Sequence, residues 1–398
     1  MNFTVRELYN KKFTLIDVGS YKIRSLTWKL DIEEIDIIGY GEKRQEEDNF
    51  VWGEIENFKE VQENIALCLK KSEAEWTVED TIINTLSPLS FLFSHHINHI
   101  RKNPLLIIDE EEIFSIIQEI EKHCFYESLV DIEYKSWYKK EEVKNIFSSI
   151  LEVNIDGKKV HSPLGKMGKN IKISLVNIFI PLHYYQISQQ IFENLGRRNI
   201  ITIPFEYSLL RYFPEETCVL LNIWNTKTSL GIKKNNSIIW TNRINIGIQD
   251  LIKKIKDKYT QIPIFQIIKD LDTNIWHEEK KEFLEIFAFC IIEWLKEIIG
   301  NETCPHQFFF LWGWWNNNFL KKYFFEIDIN RYDIKMVKKI EDIEFPELGK
   351  IDKSWFLKSI SNLDLLSTIL TYEEREEKKN DLLSKQLKTI IEDIEKTK

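Results

Sequence analysis

The stretch Phe13-Thr14-Leu15-Ile16-Asp17-Val18-Gly19-Ser20-Tyr21-Lys22-Ile23 reads as an apolar strand, a tight Asp-x-Gly-Ser turn and a second strand leaving it. An acidic residue ending a buried strand and followed by glycine suits a loop that meets phosphates. Gly19 lets backbone N–H groups approach phosphate oxygens, Ser20 adds a donor, and Asp17 can hold metal-bound water. The same residues also make an ordinary β-hairpin turn, and the stretch alone leaves both readings open.

Working outward, a third strand is predicted at Ile35–Tyr40, a helix at Asn57–Lys71 and a strand at Thr81–Leu86. Beyond Pro214 the same order returns. Cys218–Ile223 and Thr228–Lys233 are strands around a polar turn, and Ser237–Arg243 follows an Asn235-Asn236 turn. Then come a helix over Ile248–Tyr259, a long helix over Phe283–Ile299 stopped by Gly300, and a strand at Phe308–Leu311. Two copies of one β-rich α/β unit predict two similar lobes facing a cleft.

Between the copies, Phe91–Leu182 is a separate module. Asp109-x-x-Glu112 is a capping signature, and Ile113, Ile116, Ile117, Ile120 and Cys124 form the apolar stripe of the helix it opens. The module closes with a strand at Leu151–Ile155, an Asp156-Gly157 turn and a strand at Ile171–Phe179. A helix, Leu182–Leu195, and a strand, Ile200–Ile203, return the chain to the first lobe. In the charged tail, Leu382, Leu383, Leu387, Ile390, Ile391 and Ile394 fall on one half of a helical wheel.

A chain of 398 residues exceeds one usual core, and 43% hydrophobic with 13% aromatic residues is ample for burial. A net charge of −9 argues against nucleic acid as a partner. Five cysteines without a C-x-x-C pair suit a reducing cytoplasm better than a disulfide or zinc framework. The polar start Met1–Lys12 has no signal-peptide pattern, and the apolar run Ile286–Ile292 is too short to span a bilayer. His95, His96 and His99 could offer a metal pair on a helix, but Phe91-Leu92-Phe93 beside them reads as extended, and no further ligand suggests itself. Neither a catalytic triad nor a metal set is expected.

At this point the sequence resembles a known family, FtsA, the actin-like bacterial cell-division protein. Asp17-Val18-Gly19-Ser20-Tyr21-Lys22-Ile23 is similar to the family's first phosphate loop, D-[IV]-G-[TS]-x-K-[IV]. Asp156-Gly157-Lys158 … Ser162-Pro163-Leu164-Gly165-Lys166-Met167-Gly168 resembles the D-G … N-P-x-G-x-x-G run that closes its distinctive subdomain IC. The pilus protein PilM shares the architecture and stands as a competing resemblance. Either implies an actin-like ATPase fold: two ribonuclease-H-type α/β lobes around a cleft, with an α+β module inserted in the first.

The resemblance implies residues 1–90 and 183–214 as the first lobe, 91–182 as the IC-like insert, and 215–368 as the second lobe. A reduced subdomain IIB falls at about 248–300 and an amphipathic tail at 369–398. It implies a nucleotide cleft lined by Asp17, Gly19, Ser20, Lys22, Asn222, Thr228 and Gly313.

That cleft is expected to be degenerate. The family's second loop, D-[IV]-G-G-G-T-x-D, is matched by Asn222-Ile223-Trp224-Asn225-Thr226-Lys227-Thr228-Ser229, with every glycine gone and Asn for the first Asp. The adenosine-side loop is Trp312-Gly313-Trp314-Trp315, whose rings could stack on adenine or fill the cleft as core. The expectation is a pseudo-ATPase without a cofactor, ATP and Mg²⁺ being what the cleft would take if still competent. An active ATPase cycle stays as the alternative. The implied partners are a second copy of the chain, head to tail through the insert, an FtsZ-type protein, and the membrane surface through the C-terminal helix. The mixed-charge face of that helix, without an aromatic residue, equally suits docking on a protein or pairing as a short coiled coil. The implied place is cytoplasmic, at the inner face of the cell membrane.

Overall fold

The opening hairpin builds one edge-to-centre half of a five-stranded sheet. Strands β1 (Lys12–Val18), β2 (Lys22–Leu30) and β3 (Ile35–Arg44) are antiparallel neighbours; β6 (Thr81–Thr85) and β11 (Asn199–Thr202) add parallel to β1. The order is β11-β6-β1-β2-β3. The second copy repeats it with β12 (Cys218–Ile223), β13 (Thr228–Lys234), β14 (Ser237–Ile244), β15 (Phe308–Trp312) and β16 (Val337–Lys339), ordered β16-β15-β12-β13-β14. Two sheets with the same order and directions are the two ribonuclease-H-type lobes. The computed structural model describes residues 11–263 apart from 31–34, 47–48, 52–53, 75–77, 79–80, 86–89, 137, 214–215, 224, 235–236 and 245. Beyond these it describes 266–267, 282–283, 286, 289–291, 308–312, 337–339, 363–378 and 381–397. The reduced subdomain IIB, the long helix and the Trp314–Trp315 loop therefore lie wholly or mostly outside the described residues.

A small clasp, β4 (Phe50–Val51) with β5 (Glu54–Ile55), precedes helix α1 (Phe58–Ser72), which Asn57 caps by accepting from Glu60 N–H. Val61, Ile65 and Cys68 of α1 pack on Ile16, Ile23 and Ile82 of the sheet, and Ile191 and Phe192 of α3 (Leu182–Asn194) complete that layer. On the sheet's other side Leu15 and Trp28 meet α4 (Phe205–Tyr212) and α6 (Leu363–Lys378). Leu220 and Ile238 of the second sheet and Phe147 of the insert join the same core. Arg211 pairs with Glu374 at 2.8 Å and Tyr212 donates to the Leu370 carbonyl at 2.8 Å, tying α4 to α6. The expected boundary at 368/369 falls inside α6, which is continuous across it.

The insert contains β7 (Phe91–Ile100), α2 (Glu110–Lys135), β8 (Val143–Ile155), β9 (Lys158–Val160) and β10 (Asn170–Pro181). Its predicted apolar stripe is buried. Asp109 caps α2 by accepting from Glu112 N–H at 2.8 Å. The reciprocal half of the predicted capping box is absent, because Glu112 turns to Arg101 at 2.6 and 2.8 Å. β8 is far longer than the predicted Leu151–Ile155: Val143, Asn145 and Phe147 carry the inward alternation back towards α2.

Two expectations change. The insert, predicted as a module of the first lobe, extends the second lobe's sheet: β7 pairs β14 at Trp240↔Phe93, giving nine strands in one sheet. The amphipathic tail, expected to meet either the membrane or another protein, is helix α7 (Leu382–Thr397), and its apolar face is covered by this chain's own insert. Leu383, Leu387, Ile390 and Ile394 are buried there. Glu395 accepts from Lys144 Nζ at 2.9 Å and Asn145 N–H at 3.2 Å, fixing the helix to β8. Among the described residues no helix is long and apolar enough to cross a membrane.

Candidate functional site

The equivalence of the two sheets puts Asp17 and Asn222 at matching places, each one residue before the end of its sheet's first strand. Strand register then decides what faces each. Four residues separate the last paired positions of each hairpin, Val18↔Ile23 and Ile223↔Thr228, so Asp17 directly faces Arg24 across the strands and Asn222 faces Ser229.

Asp17 is 4% exposed and Arg24 2%. Arg24 donates to Asp17 Oδ2 from Nη2 at 2.6 Å and from Nε at 2.9 Å, while Thr85 Oγ1 donates to Oδ1 at 2.8 Å. Both carboxylate oxygens are thus engaged within the protein. Burial first, then the Asp17 and Glu54 carboxylates, push the neighbouring Tyr184 hydroxyl upward, which keeps that wall neutral. Gly19 and Ser20 form the half-buried turn. Lys22 reaches Glu42 at 3.1 Å, and Tyr40 donates to the same oxygen at 2.7 Å. Burial pushes the Glu42 carboxyl up, but the Tyr40 hydrogen bond and Lys22 outweigh it and hold it below the usual range.

Asn222 is 1% exposed, and its amide makes no hydrogen bond among the described residues. Thr228 Oγ1 donates to the Ile246 carbonyl at 2.6 Å, bracing the base of the loop. The backbone at Asn225 and Thr226 folds onto the start of α5 (Ile248–Lys258): Asn225 O accepts from Gln249 N–H at 2.7 Å. A Cβ on Gly247 would lie 2.4 Å from Asn225 O, so this close approach requires glycine there. Gly247 N–H is satisfied by Asp250 Oδ2 at 2.8 Å. A helix N-terminus is an anion site only while its N–H groups point at the anion; here two of them are used internally. Trp224 and Gly313 lie outside the described residues, as does the side chain of Trp312.

Such a donor set fits a magnesium nucleotide poorly. A divalent ion held through water needs spare carboxylate charge on both loops. Here Asp17 is neutralised by Arg24 and Asn222 carries no charge. Arg24 was legible in principle, since Val18↔Ile23 with four residues between them forces Asp17↔Arg24. Glu206 was not read from sequence: at the start of α4 it accepts from Ser229 Oγ at 3.3 Å, linking the return segment of the first lobe to β13 of the second.

The histidines of β7 alternate between faces. His95 Nε2 meets Ser128 Oγ at 2.9 Å on the α2 side, and His96 Nδ1 meets Ser174 Oγ at 2.8 Å. Burial lowers the pKa of both. Among the described residues no group of three His, Cys, Asp or Glu side chains is arranged to hold a metal ion. A cavity of about 650 Å³ lies apart from the phosphate loops, along β8 between Lys144 and Ser149, and is walled by α6 and α7. β9 covers β8 only at Val153–Ile155, so among the described residues no strand pairs the outer side of this part of β8, where the Asn145 N–H is taken by Glu395 of α7.

No protein-family model matches the chain, and no curated protein matches its sequence. Solved structures match over nearly its whole length, and the chain has the actin-like ATPase fold. It is similar to PilM of the PilM–PilN type IV pilus biogenesis complex, with a TM-score of 0.61 at 10% identity over 90% of this chain and 98% of that one. It is similar also to the ethanolamine utilization protein EutJ from Carboxydothermus hydrogenoformans, with a TM-score of 0.50 at 12% identity over 92% and 93%. At such identities the likeness is one of fold.

Proposed function

We propose that this chain is a protein-binding adaptor of actin-like fold that does not cycle nucleotide. The observation that carries the reading is the buried Asp17–Arg24 pair: the carboxylate on which a metal-nucleotide site would be built already has a fixed cation. PilM, which it resembles in fold, was solved from a complex with another protein, PilN, and a pilus-type assembly adaptor is the role we favour. The cavity along β8 suits an extended partner segment laid beside the part of the strand beyond Asn145, which no strand pairs among the described residues. An FtsA-like scaffold, self-associating through the insert and engaging an FtsZ-type protein, is the second reading. It is favoured by the Asp156–Gly168 run, although that run also has a local structural role. A Cβ on Gly168 would lie 2.2 Å from Ile155 Cγ2. Under either reading the protein works at the inner face of the cell membrane.

Titration calorimetry with Mg-ATP tests the central claim, with no binding at micromolar concentrations as the expected result. Micromolar affinity would overturn it. Cross-linking in the native cell separates the two partner classes: capture of pilus-assembly proteins supports the first reading, and capture of a tubulin-like filament protein supports the second.

A further inference from the structure

The end of the insert farthest along β7 carries large aliphatic side chains in water. Leu105 is 86% exposed, Leu106 and Ile107 62% each, and Met167 60%. They do not sit on a floppy loop. Arg101, 3% exposed, donates to the carbonyls of Leu106 at 3.0 Å and Gly168 at 2.9 Å while its other edge grips Glu112. Ile108 N–H donates to Lys166 O at 2.8 Å, Gly165 N–H to Ile108 O at 2.9 Å, and Gly168 N–H to Pro104 O at 3.1 Å. Ile108, 1% exposed, anchors the loop in the insert core. The fold therefore holds four apolar side chains outward at the cost of their hydration, which demands an occupant.

The rim names its chemistry. Lys102, Lys158, Lys166 and Lys169 are all exposed around this tip, in a chain whose net charge is −9. Several acidic groups at the same end are engaged locally: Asp156 accepts from the N–H groups of Lys169 and Asn170, Asp109 caps α2, and Glu112 pairs with Arg101. Glu110 and Glu111 stand at the start of α2. Exposed aliphatics beside lysines whose stems can snorkel match the acyl–headgroup boundary of a bilayer. The amphipathic tail, the other candidate for lipid, has its apolar face covered.

We infer that the tip formed by Pro104–Ile107 and Met167 is a membrane-surface contact that inserts its aliphatic side chains into bilayers containing anionic lipid. This stands independently of the adaptor reading. The test is flotation of the full chain with phosphatidylcholine vesicles, with and without about 30% phosphatidylglycerol. Wild type should bind the anionic vesicles at least about tenfold better than the neutral ones, and Leu105→Ser/Ile107→Ser and Lys166→Ser/Lys169→Ser should each lose about tenfold or more. These residues are exposed, so unchanged thermal melts will certify folding. Absence of binding to anionic vesicles, or equal binding by the folded variants, overturns the proposal. So does a concentration-dependent dimer in sedimentation velocity that Leu105→Ser/Ile107→Ser abolishes while vesicle binding is absent, which would assign the tip to a second copy of the chain.

Discussion

Replacing Arg24 with Met removes the cation from the phosphate-loop carboxylate while keeping most of the apolar stem. The two side chains are 2% and 6% exposed, so water screens the pair little. Breaking a buried ion pair from one side costs about 3–5 kcal/mol, because the remaining charge is left desolvated. Thr85 still donates to Oδ1 at 2.8 Å, which sets the expectation at the lower end, about 3 kcal/mol. Asp17→Asn/Arg24→Met removes both charges together. It should cost well below the sum of the single changes, with a coupling of about 2 kcal/mol or more. Urea denaturation of the wild type, the two single variants and the double variant, followed by tryptophan fluorescence, measures the cycle. Additive costs, or an Arg24→Met variant within about 1 kcal/mol of wild type, would refute the view that Asp17 depends on Arg24. Calorimetry of Arg24→Met with Mg-ATP supplies a second reading. Asn222 and the closed N-terminus of α5 are untouched, so ATP should still fail to bind; recovered binding would mean that Arg24 alone blocks the cleft.

Glu121, 0% exposed, lies inside the insert beside the Asn177 amide, and burial pushes its carboxyl up to about 8 against a small opposing effect of that amide. Between about pH 4.5 and 8 the folded chain holds a proton that the unfolded chain has released, so this group's contribution to stability falls as pH rises through that window. Glu121→Gln should therefore flatten the fall and stabilise the protein by a few kcal/mol, order of magnitude, at pH 8.5 relative to pH 5, read from urea midpoints at both pH values; an unchanged pH slope would refute it. Leu387→Ala, in the middle of the covered face of α7, should cost about 2–4 kcal/mol and leave vesicle binding intact, since that face lies against the insert. A neutral effect on stability would show that α7 is not held there.

Much of the fold was legible because its signals are local. The strand Cys218–Ile223 has the bounds its apolar run predicted, and the capping Asp109 and the buried stripe of α2 follow from spacing alone. The front half of β8 was hidden by Ser148 and Ser149, polar residues that interrupt the alternation, of which Ser148 is satisfied in place by Asn145 and Asn177. Helix α4 is eight residues long and opens on Pro204-Phe205, a pattern too short for a helical period to declare itself. The tail gave the right helix but not its destination, because a one-sided apolar stripe looks the same whether lipid, a partner or the chain itself covers it. For the candidate site, the loss of charge at Asn222 was readable from one position. The capture of Asp17 by Arg24 needed the strand register, and the folding of Asn225 onto α5 needed contacts between residues more than twenty apart.

The lobes themselves are tied together away from the phosphate loops. The insert leaves the first lobe after β6 and returns to it through α3, yet its strand β7 pairs with β14 of the second lobe. On the other side Leu15 and Trp28 of the first sheet, Leu220 of the second and Phe147 of the insert share one core with α4 and α6. Hinge closure around a ligand needs bodies that stay separate while a few residues absorb the rotation. Rotation here would have to break sheet hydrogen bonds, at about 1 kcal/mol each, and open shared apolar surface at about 25 cal/mol per Å². A cleft braced in this way is suited to holding one shape. Under the proposed reading the lobes do not close on a phosphate, and the sequence is then under no demand for glycine at Trp224-Asn225-Thr226. What such a body offers instead is fixed surface, and both surfaces proposed here, the edge of β8 beyond Asn145 and the apolar tip at Leu105, belong to the insert that does the bracing.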